Sequence, residues 1–131
     1  MSQVETLWYD SSIMINLTPF LYLFPKGKPE VQEISDTAAT VIWTAPGSDG
    51  GSWITSYVVE KYDKKTDKWM RVKKTDGVTL SHRVEDLEAN HEYQFRVTAE
   101  NKAGVGLPSE SSDSFIAKLP FGKMVIFTYN C

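Results

Sequence analysis

The sequence has little of what a disulfide-bonded, membrane-spanning or nucleic-acid-binding protein needs. Cys131 is the only cysteine in 131 residues, so an intrachain disulfide is excluded and packing alone must hold the fold, which favours a reducing compartment. The apolar block 13–24 is too short to cross a bilayer, which takes roughly 20 residues, and Pro19 interrupts it. A formal net charge of −3 argues against a dedicated nucleic-acid binder.

Catalytic and metal-binding patterns are also missing from the sequence. The two histidines, His82 and His91, are separated by a turn, and neither has the ligand spacing of a metal site. The glycine-rich stretch 46–52 lacks the Lys-Ser/Thr ending of a phosphate-binding loop, so a connector is favoured. We therefore expect no catalytic residues, no metal, no cofactor and no enzyme activity.

The two ends of the chain differ in character from its middle. Residues 1–25 contain Glu5 and Asp10 but no Lys or Arg, unlike the basic start of a signal peptide. Two interpretations stay open for them: a disordered or loosely docked tail, or translated intron, because their codons are pyrimidine-rich like a splice-acceptor tract. Residues 120–131 are unassigned, translated intron again stays open for residues 122–131, and Cys131 is interpreted as an exposed thiol. The predicted domain is residues 26–119.

The middle of the chain contains short runs in which apolar and polar residues alternate. The clearest run is 93–99, where every second residue is apolar, the pattern of a half-buried antiparallel strand. Turn signals separate it from six similar runs, and seven strands predict an all-β, antiparallel, immunoglobulin-like β-sandwich. The six other predicted strands are residues 30–34, 39–44, 54–62, a short strand at 69–72, 80–87 and 107–117.

A tyrosine at the start of the central strand indicates how the core is organised. Tyr93 follows Leu87 by six residues, across a turn that contains Asn90. This spacing is typical of a tyrosine corner, in which the ring packs in the core and the hydroxyl satisfies backbone groups of the turn. Trp43, the largest inward side chain of its strand, is expected at the centre of the core. The predicted core residues are Trp43, Tyr57, Val59, Val84, Leu87, Tyr93, Phe95 and Val97.

A basic cluster on the fourth predicted strand has two interpretations. Arg71, Lys73 and Lys74 could contact an acidic partner. Lysines on an edge strand also prevent edge-to-edge pairing of sheets, and this interpretation is favoured.

Several stretches resemble one known family. Trp43-Thr-Ala-Pro46, Tyr57-Val-Val-Glu-Lys61 and Tyr93-Gln-Phe-Arg-Val-Thr-Ala-Glu-Asn101 resemble a fibronectin type III domain. More finely, Asp49-Gly-Gly-Ser-Trp-Ile54 and Asn101-Lys-Ala-Gly-Val-Gly106 resemble the modules of titin, twitchin and myosin-binding protein C. Gly27-Lys-Pro29 and Ala117-Lys-Leu-Pro-Phe121 stand where such modules join. The resemblance covers about residues 26–121; one departure is Trp53, where these modules commonly have proline.

The resemblance implies a non-enzymatic structural and protein-interaction module of a titin-like sarcomeric protein. Its role would be thick-filament scaffolding and mechanical elasticity in the cytoplasm, at the sarcomere. The implied partners are neighbouring immunoglobulin and fibronectin modules of a parent chain, and myosin or other thick-filament proteins. Neither nucleic acid nor a membrane is an implied partner. The domain itself is expected to be monomeric. The alternative is a module of a cell-surface receptor or adhesion protein, but the 102–106 hairpin has no Arg-Gly-Asp. The candidate partner contacts are Trp53, Arg71, Lys73 and Lys74.

Overall fold

The alternating runs form strands in residues 23–120, the part of the chain that a computed structural model describes. Within this range there is no helix, and turns and loops join the strands. The tail residues 1–22 and 121–131, with Cys131, lie outside the described residues. The strands are β1 (Glu30–Gln32), β2 (Ala39–Ile42), β3 (Ser56–Asp63), β4 (Lys68–Asp76), β5 (Ser81–Val84), β6 (Glu92–Asn101), β7 (Gly104–Pro108) and β8 (Phe115–Ile116).

The strands pair into two antiparallel sheets. One sheet has the order β1-β2-β5, and the other has the order β4-β3-β6-β7, with β8 paired to the start of β6. Neighbouring strands in each sheet are antiparallel, and the chain changes sheet between β2 and β3, between β4 and β5, and between β5 and β6. This architecture confirms the predicted all-β sandwich.

One buried cluster fills the space between the sheets. The inward apolar residues of β6, at alternate positions from Tyr93 to Ala99, are at most 1% exposed, while Gln94 and Arg96 between them remain partly exposed, which is the predicted period of two. Each fully buried Val, Leu or Phe side chain contributes roughly 1.5–3 kcal/mol of transfer free energy, so this cluster is the main source of stability. It consists of Leu23, Ala39, Val41, Trp43, Tyr57, Val59, Val84, Leu87, Tyr93, Phe95, Val97, Ala99 and Ala117.

The last strand corrects the predicted strand count. Residues 107–117 were expected to form one strand, but the chain pairs with β6 as two short strands, β7 and β8. Between β7 and β8, Ser109 and Ser112 each make two hydrogen bonds with the backbone of β6. In each case the serine N–H donates to a β6 carbonyl and the serine hydroxyl accepts from a β6 N–H, in place of a backbone carbonyl. In residues 23–120 the sandwich consequently has eight strands, because the seventh predicted strand is divided into two. The length of the fourth strand also differs from the prediction: a short strand was expected, and β4 is nine residues long.

The topology gives the sandwich two ends, which we call the amino pole and the carboxyl pole. The amino pole carries the loops β2–β3, β4–β5 and β6–β7, because Ser56 at the start of β3 lies opposite Asp76 and Glu100. The carboxyl pole carries the loops β1–β2, β3–β4 and β5–β6. The chain enters at the amino pole, where the Lys26 N–H donates to the Thr44 carbonyl, and leaves at the carboxyl pole beside the start of β6.

The packed part of the sandwich extends beyond the predicted amino-terminal boundary. Leu23 is fully buried in the core cluster, and Pro25 is fully buried as well. A domain that began at residue 26 would leave both side chains outside. We propose instead that the folding unit includes residues 23–25.

Candidate functional site

The tyrosine corner is present as predicted. The Glu88 N–H donates to the Tyr93 hydroxyl at 2.8 Å, and the Tyr93 ring is 1% exposed. Burial raises the pKa of this phenol above its ordinary value, and the hydrogen bond from Glu88 acts in the opposite direction. The corner turns through Asp86 and Asn90, which have φ of 61° and 70°; Asn and Asp tolerate this left-handed region better than most residues.

The eight residues predicted for the core all lie in the buried cluster. Trp43 is 3% exposed, and its ring meets the Tyr57 ring edge to face, with the ring centroids 5.5 Å apart. This geometry adds roughly 0.5–1.5 kcal/mol to the burial of the two rings. Burial also raises the pKa of the Tyr57 phenol. These residues hold the sandwich together and are not available to a partner.

A histidine–carboxylate pair supports the carboxyl pole, and sequence reasoning missed it. The His91 Nδ1 lies 2.8 Å from an Asp63 carboxylate oxygen, and the other Asp63 oxygen accepts from the Lys65 N–H at 2.9 Å. Burial raises the pKa of Asp63, but the bonds from His91 and Lys65 outweigh it and hold this pKa below its ordinary value. The pair joins the β3–β4 turn to the tyrosine corner, a contact between positions 28 residues apart.

The two histidines lie on different elements, His82 on β5 and His91 in the β5–β6 loop. His82 lies on β5 opposite Val41 and is half-buried; burial and the nearby Lys73 charge lower the pKa of its imidazole. No group of three or more His, Cys, Asp or Glu side chains suited to a metal ion occurs in residues 23–120. No helix in that range is long and apolar enough to cross a membrane.

The basic cluster lies on β4, an edge strand of the larger sheet. Arg71, Lys73 and Lys74 are exposed, and Lys74 Nζ is 3.0 Å from a Glu100 carboxylate oxygen. The pKa of Glu100 is lowered because the bonds from Lys74 and Ser56 outweigh its burial. On a surface of this kind one ion pair contributes about 0–1 kcal/mol. Two cationic side chains, Arg71 and Lys73, thus remain without a carboxylate within 4.0 Å in the described part of the chain.

Next to this cluster the outward face of the larger sheet carries an aromatic–arginine group that the sequence did not single out. The Arg96 guanidinium lies 4.1 Å from the centre of the Trp69 ring, and its Nε donates to Glu60 at 2.7 Å. The Tyr62 ring packs on the same group, with its centroid 5.4 Å from that of Trp69. A cation over an indole contributes about 0.5–2 kcal/mol. The alternation on β6 placed Arg96 on the outer face, but its cross-strand partners depended on register.

Trp53 is separate from the basic cluster. It lies in the β2–β3 loop at the amino pole and is 81% exposed, beside a cleft of about 410 Å³ that Asp49, Ser52 and Lys102 also line. The basic residues Arg71 and Lys73 line a different cleft, between the two sheets at their β4–β5 edge. The four candidate contact residues therefore form two surfaces and not one.

Comparison with known proteins identifies the family of this sandwich. A model of the fibronectin type III domain matches residues 25–115. Titin of Drosophila melanogaster is 32% identical over 99 residues. This match covers 76% of this chain and, to the nearest per cent, 0% of titin. Human fast-type myosin-binding protein C is 45% identical over 75 residues, 57% of this chain and 6% of that protein.

A solved structure agrees with these relatives. A titin module from human cardiac muscle has a TM-score of 0.65 at 36% identity, covering 72% of this chain and 90% of that module. The chain thus spans less than a tenth of the curated relatives but nearly all of a single module. A fibronectin type III domain is a non-catalytic structural fold. The chain belongs to the fibronectin type III family, in the group of modules found in titin and myosin-binding protein C.

Proposed function

We propose that this domain is a structural and protein-interaction module of a titin-like protein of the sarcomere. It transmits tension along the thick filament and keeps neighbouring immunoglobulin and fibronectin modules at a fixed spacing. The muscle proteins among its relatives support this assignment over a receptor or adhesion module. The parent protein and its whole activity extend beyond this chain.

The observation that carries the mechanical role is the position of the two ends. The chain enters at the amino pole and leaves at the carboxyl pole, so tension runs along the strands. The first strand is bonded to β2 and the last to β6, in different sheets, and both pairings are antiparallel. Hydrogen bonds between antiparallel strands lie across the strand direction, so this load shears several of them at once. Rupture is therefore cooperative.

Single-molecule pulling tests the mechanical role. Tension applied between the two ends of the chain should shear β1 and β8 and give a high unfolding force. Tension applied between Asp36 and Ala117, which both lie at the carboxyl pole, should peel strands apart one bond at a time and give a lower force. Equal forces in the two geometries would contradict a tension-bearing role for this topology. Forced unfolding follows the unfolding rate, so both measurements use the same loading rate.

Thick-filament binding is the second part of the proposal, and the edge strand β4 is its candidate surface. Arg71 and Lys73 present two cations without carboxylate partners among residues 23–120, and an acidic stretch of myosin would fit them. Cosedimentation with myosin filaments at low and physiological salt tests this. Reversing both charges to Glu should abolish binding, whereas Lys118→Glu, at the carboxyl pole, should leave it unchanged.

An alanine variant at Arg71 and Lys73 distinguishes the edge-protection interpretation. If the β4 cations act only against edge pairing, replacing both with Ala should produce concentration-dependent self-association without any loss of myosin binding. Sedimentation velocity of the purified variant measures this directly. Unchanged cosedimentation with a larger sedimentation coefficient would refute the myosin contact and leave the mechanical role in place.

A further inference from the structure

A continuous groove crosses the amino pole. It starts in a cleft beside Phe24, continues past Ser48 to Trp53 in a larger cleft, and ends in a third cleft between Trp53 and Lys102. Their volumes are about 280, 850 and 410 Å³. Neighbouring clefts share lining residues, so an extended segment could follow the whole path. We call this path the pole groove; its lining includes Phe24, Gly47, Ser48, Trp53, Val78 and Lys102.

Two large apolar side chains on the pole groove are exposed. Trp53 is 81% exposed and Val78 is 84% exposed. Trp is seldom left this open on the surface of a folded domain, and an exposed apolar patch of this kind is typical of an interaction site. In the part of the chain that the structure describes, nothing covers either side chain.

The loop that carries Trp53 is held in one shape. The buried Asn101 side chain donates from its Nδ2 to the Asp49 carbonyl at 2.8 Å, which ties the β2–β3 loop to the end of β6. The Asp49 carboxylate accepts from the Gly51 N–H at 2.9 Å. An aromatic anchor presented by a preorganised loop loses little conformational entropy on binding, so it contributes more to affinity.

The segment that precedes Leu23 is the occupant that the structure favours. Leu23 and Pro25 are fully buried, and Phe24 between them lines the first cleft, so the preceding residues start where the groove starts. Ten extended residues reach about 33 Å, enough to cross one end of a small domain. Residues 13–22 are mostly apolar: Ile13, Met14, Ile15, Leu17, Phe20, Leu21 and Tyr22.

The charges at the amino pole are compatible with the same occupant. Residues 1–22 contain Glu5 and Asp10 and no Lys or Arg. Lys26 and Lys102 flank the two ends of the pole groove, and neither is in an ion pair within residues 23–120. The one carboxylate in the groove, on Asp49, is bonded to the loop backbone. Residues 13–22 themselves carry no charge, so their docking depends on apolar contact, and Glu5 and Asp10 precede the docked stretch.

We propose that residues 13–22 dock along the pole groove, with an apolar side chain packed on the Trp53 ring. The docked segment covers Trp53 and Val78 and occupies the end of the sandwich at which another module of a tandem array would sit. It would compete with any protein surface that approaches this pole. The proposal does not depend on the sarcomeric role, because both partners lie in the same chain.

Nuclear magnetic resonance of the full chain tests the docking. The four tryptophans give four indole N–H signals, and the Trp53→Phe variant assigns the one that belongs to Trp53. Docking predicts nuclear Overhauser contacts from the Trp53 ring to methyl groups of residues 13–22. It also predicts that the double variant Phe20→Asp/Leu21→Asp exchanges the Trp53 indole proton at least about tenfold faster than the unaltered chain.

A matched control and a dilution series make the result decisive. Leu119→Asp places one such carboxylate on an exposed apolar residue at the opposite pole, and it should leave the Trp53 signal unchanged. The Trp43 signal reports that each variant is folded. Contacts that disappear on dilution would mean that a second copy occupies the groove. Contacts that are absent at every concentration, with equal exchange rates, would mean that the segment does not dock; either result overturns the proposal.

Discussion

At the scale of single residues, Tyr93 combines two contributions that one substitution can separate. Its ring fills the core, and its hydroxyl accepts from the Glu88 N–H at 2.8 Å. Tyr93→Phe keeps the ring and removes the acceptor, so the fold should remain while the free energy of unfolding falls by about 1–2 kcal/mol. Urea denaturation measures it. A neutral result would show that water replaces the hydroxyl at the corner, and a loss above about 4 kcal/mol would mean that packing has changed too.

Gly106 on β7 is a residue whose missing side chain matters. A Cβ built there would lie 1.8 Å from the Leu23 carbonyl oxygen, a backbone atom that cannot move without displacing a buried residue. Gly106→Ala should therefore destabilise the domain by about 1–3 kcal/mol, the usual effect of overpacking. Gly47→Ala is the matched control, because the atoms nearest to its Cβ belong to the Lys26 side chain at 3.9 and 4.0 Å. Equal midpoints of thermal unfolding in the two variants would show that residues 23–25 do not pack on β7.

At the scale of elements, two serines hold the interrupted last strand on β6. The Phe95 N–H donates to the Ser112 hydroxyl at 2.9 Å, and the Val97 N–H donates to the Ser109 hydroxyl at 3.0 Å. Removing either hydroxyl leaves a buried N–H without its acceptor, which costs about 1–3 kcal/mol. Ser109→Ala and Ser112→Ala should thus each destabilise the domain and speed amide exchange at Val97 and Phe95 respectively. Ser114→Ala, at an exposed position of the same segment, should change neither quantity.

The Asp63–His91 pair joins two turns of the carboxyl pole and makes stability depend on pH. The folded pKa of Asp63 lies below its ordinary value, so its contribution is complete above about pH 4 and is lost as pH falls through the folded pKa. Asp63→Asn should lower the free energy of unfolding at pH 7 by about 1.5–3 kcal/mol, and the difference should shrink in acid.

Asp113→Asn is the control for that measurement. Asp113 pairs with Lys28 at 2.7 Å, but both side chains are exposed, and such pairs contribute about 0–1 kcal/mol. Denaturation at a series of pH values compares the two variants. A constant difference between Asp63→Asn and the unaltered chain down to pH 2 would contradict the assigned role of the carboxylate.

The elements also show which parts of the fold the sequence could predict. Where apolar and polar residues alternate, as on β6, burial of one face determines the strand, and periodicity alone finds it. The last strand could not be found in this way, because its central residues, 109–114, are polar and bond to β6 through Ser109 and Ser112. The repeated serines after Pro108 were the available signal. The Asp63–His91 pair depends on strand register, which no local pattern specifies.

At the scale of the whole molecule, the least predictable feature is where the folding unit begins. The change of composition after Pro25 suggested residue 26, because the apolar block before it has no strand alternation. In the structure, however, Leu23 reaches into the core from the amino pole and lies against β7 at Gly106. A single buried side chain outside any regular strand leaves no periodic signal. The composition therefore predicts a boundary at residue 26, and the burial of Leu23 is the reason for proposing an earlier one.

Two fragments test this boundary. The fragment 23–120 keeps every residue of the core cluster, whereas the fragment 26–120 lacks Leu23 and Pro25. Loss of a buried Leu side chain costs about 2–5 kcal/mol, which is a large part of the roughly 5–15 kcal/mol that stabilises a domain. The shorter fragment should therefore unfold at a clearly lower urea concentration. Leu23→Ala in the full chain separates the lost side chain from effects of the new terminus, and it should show most of the same loss. If both fragments unfold at the same concentration, residues 23–25 contribute nothing to stability and the boundary belongs at residue 26.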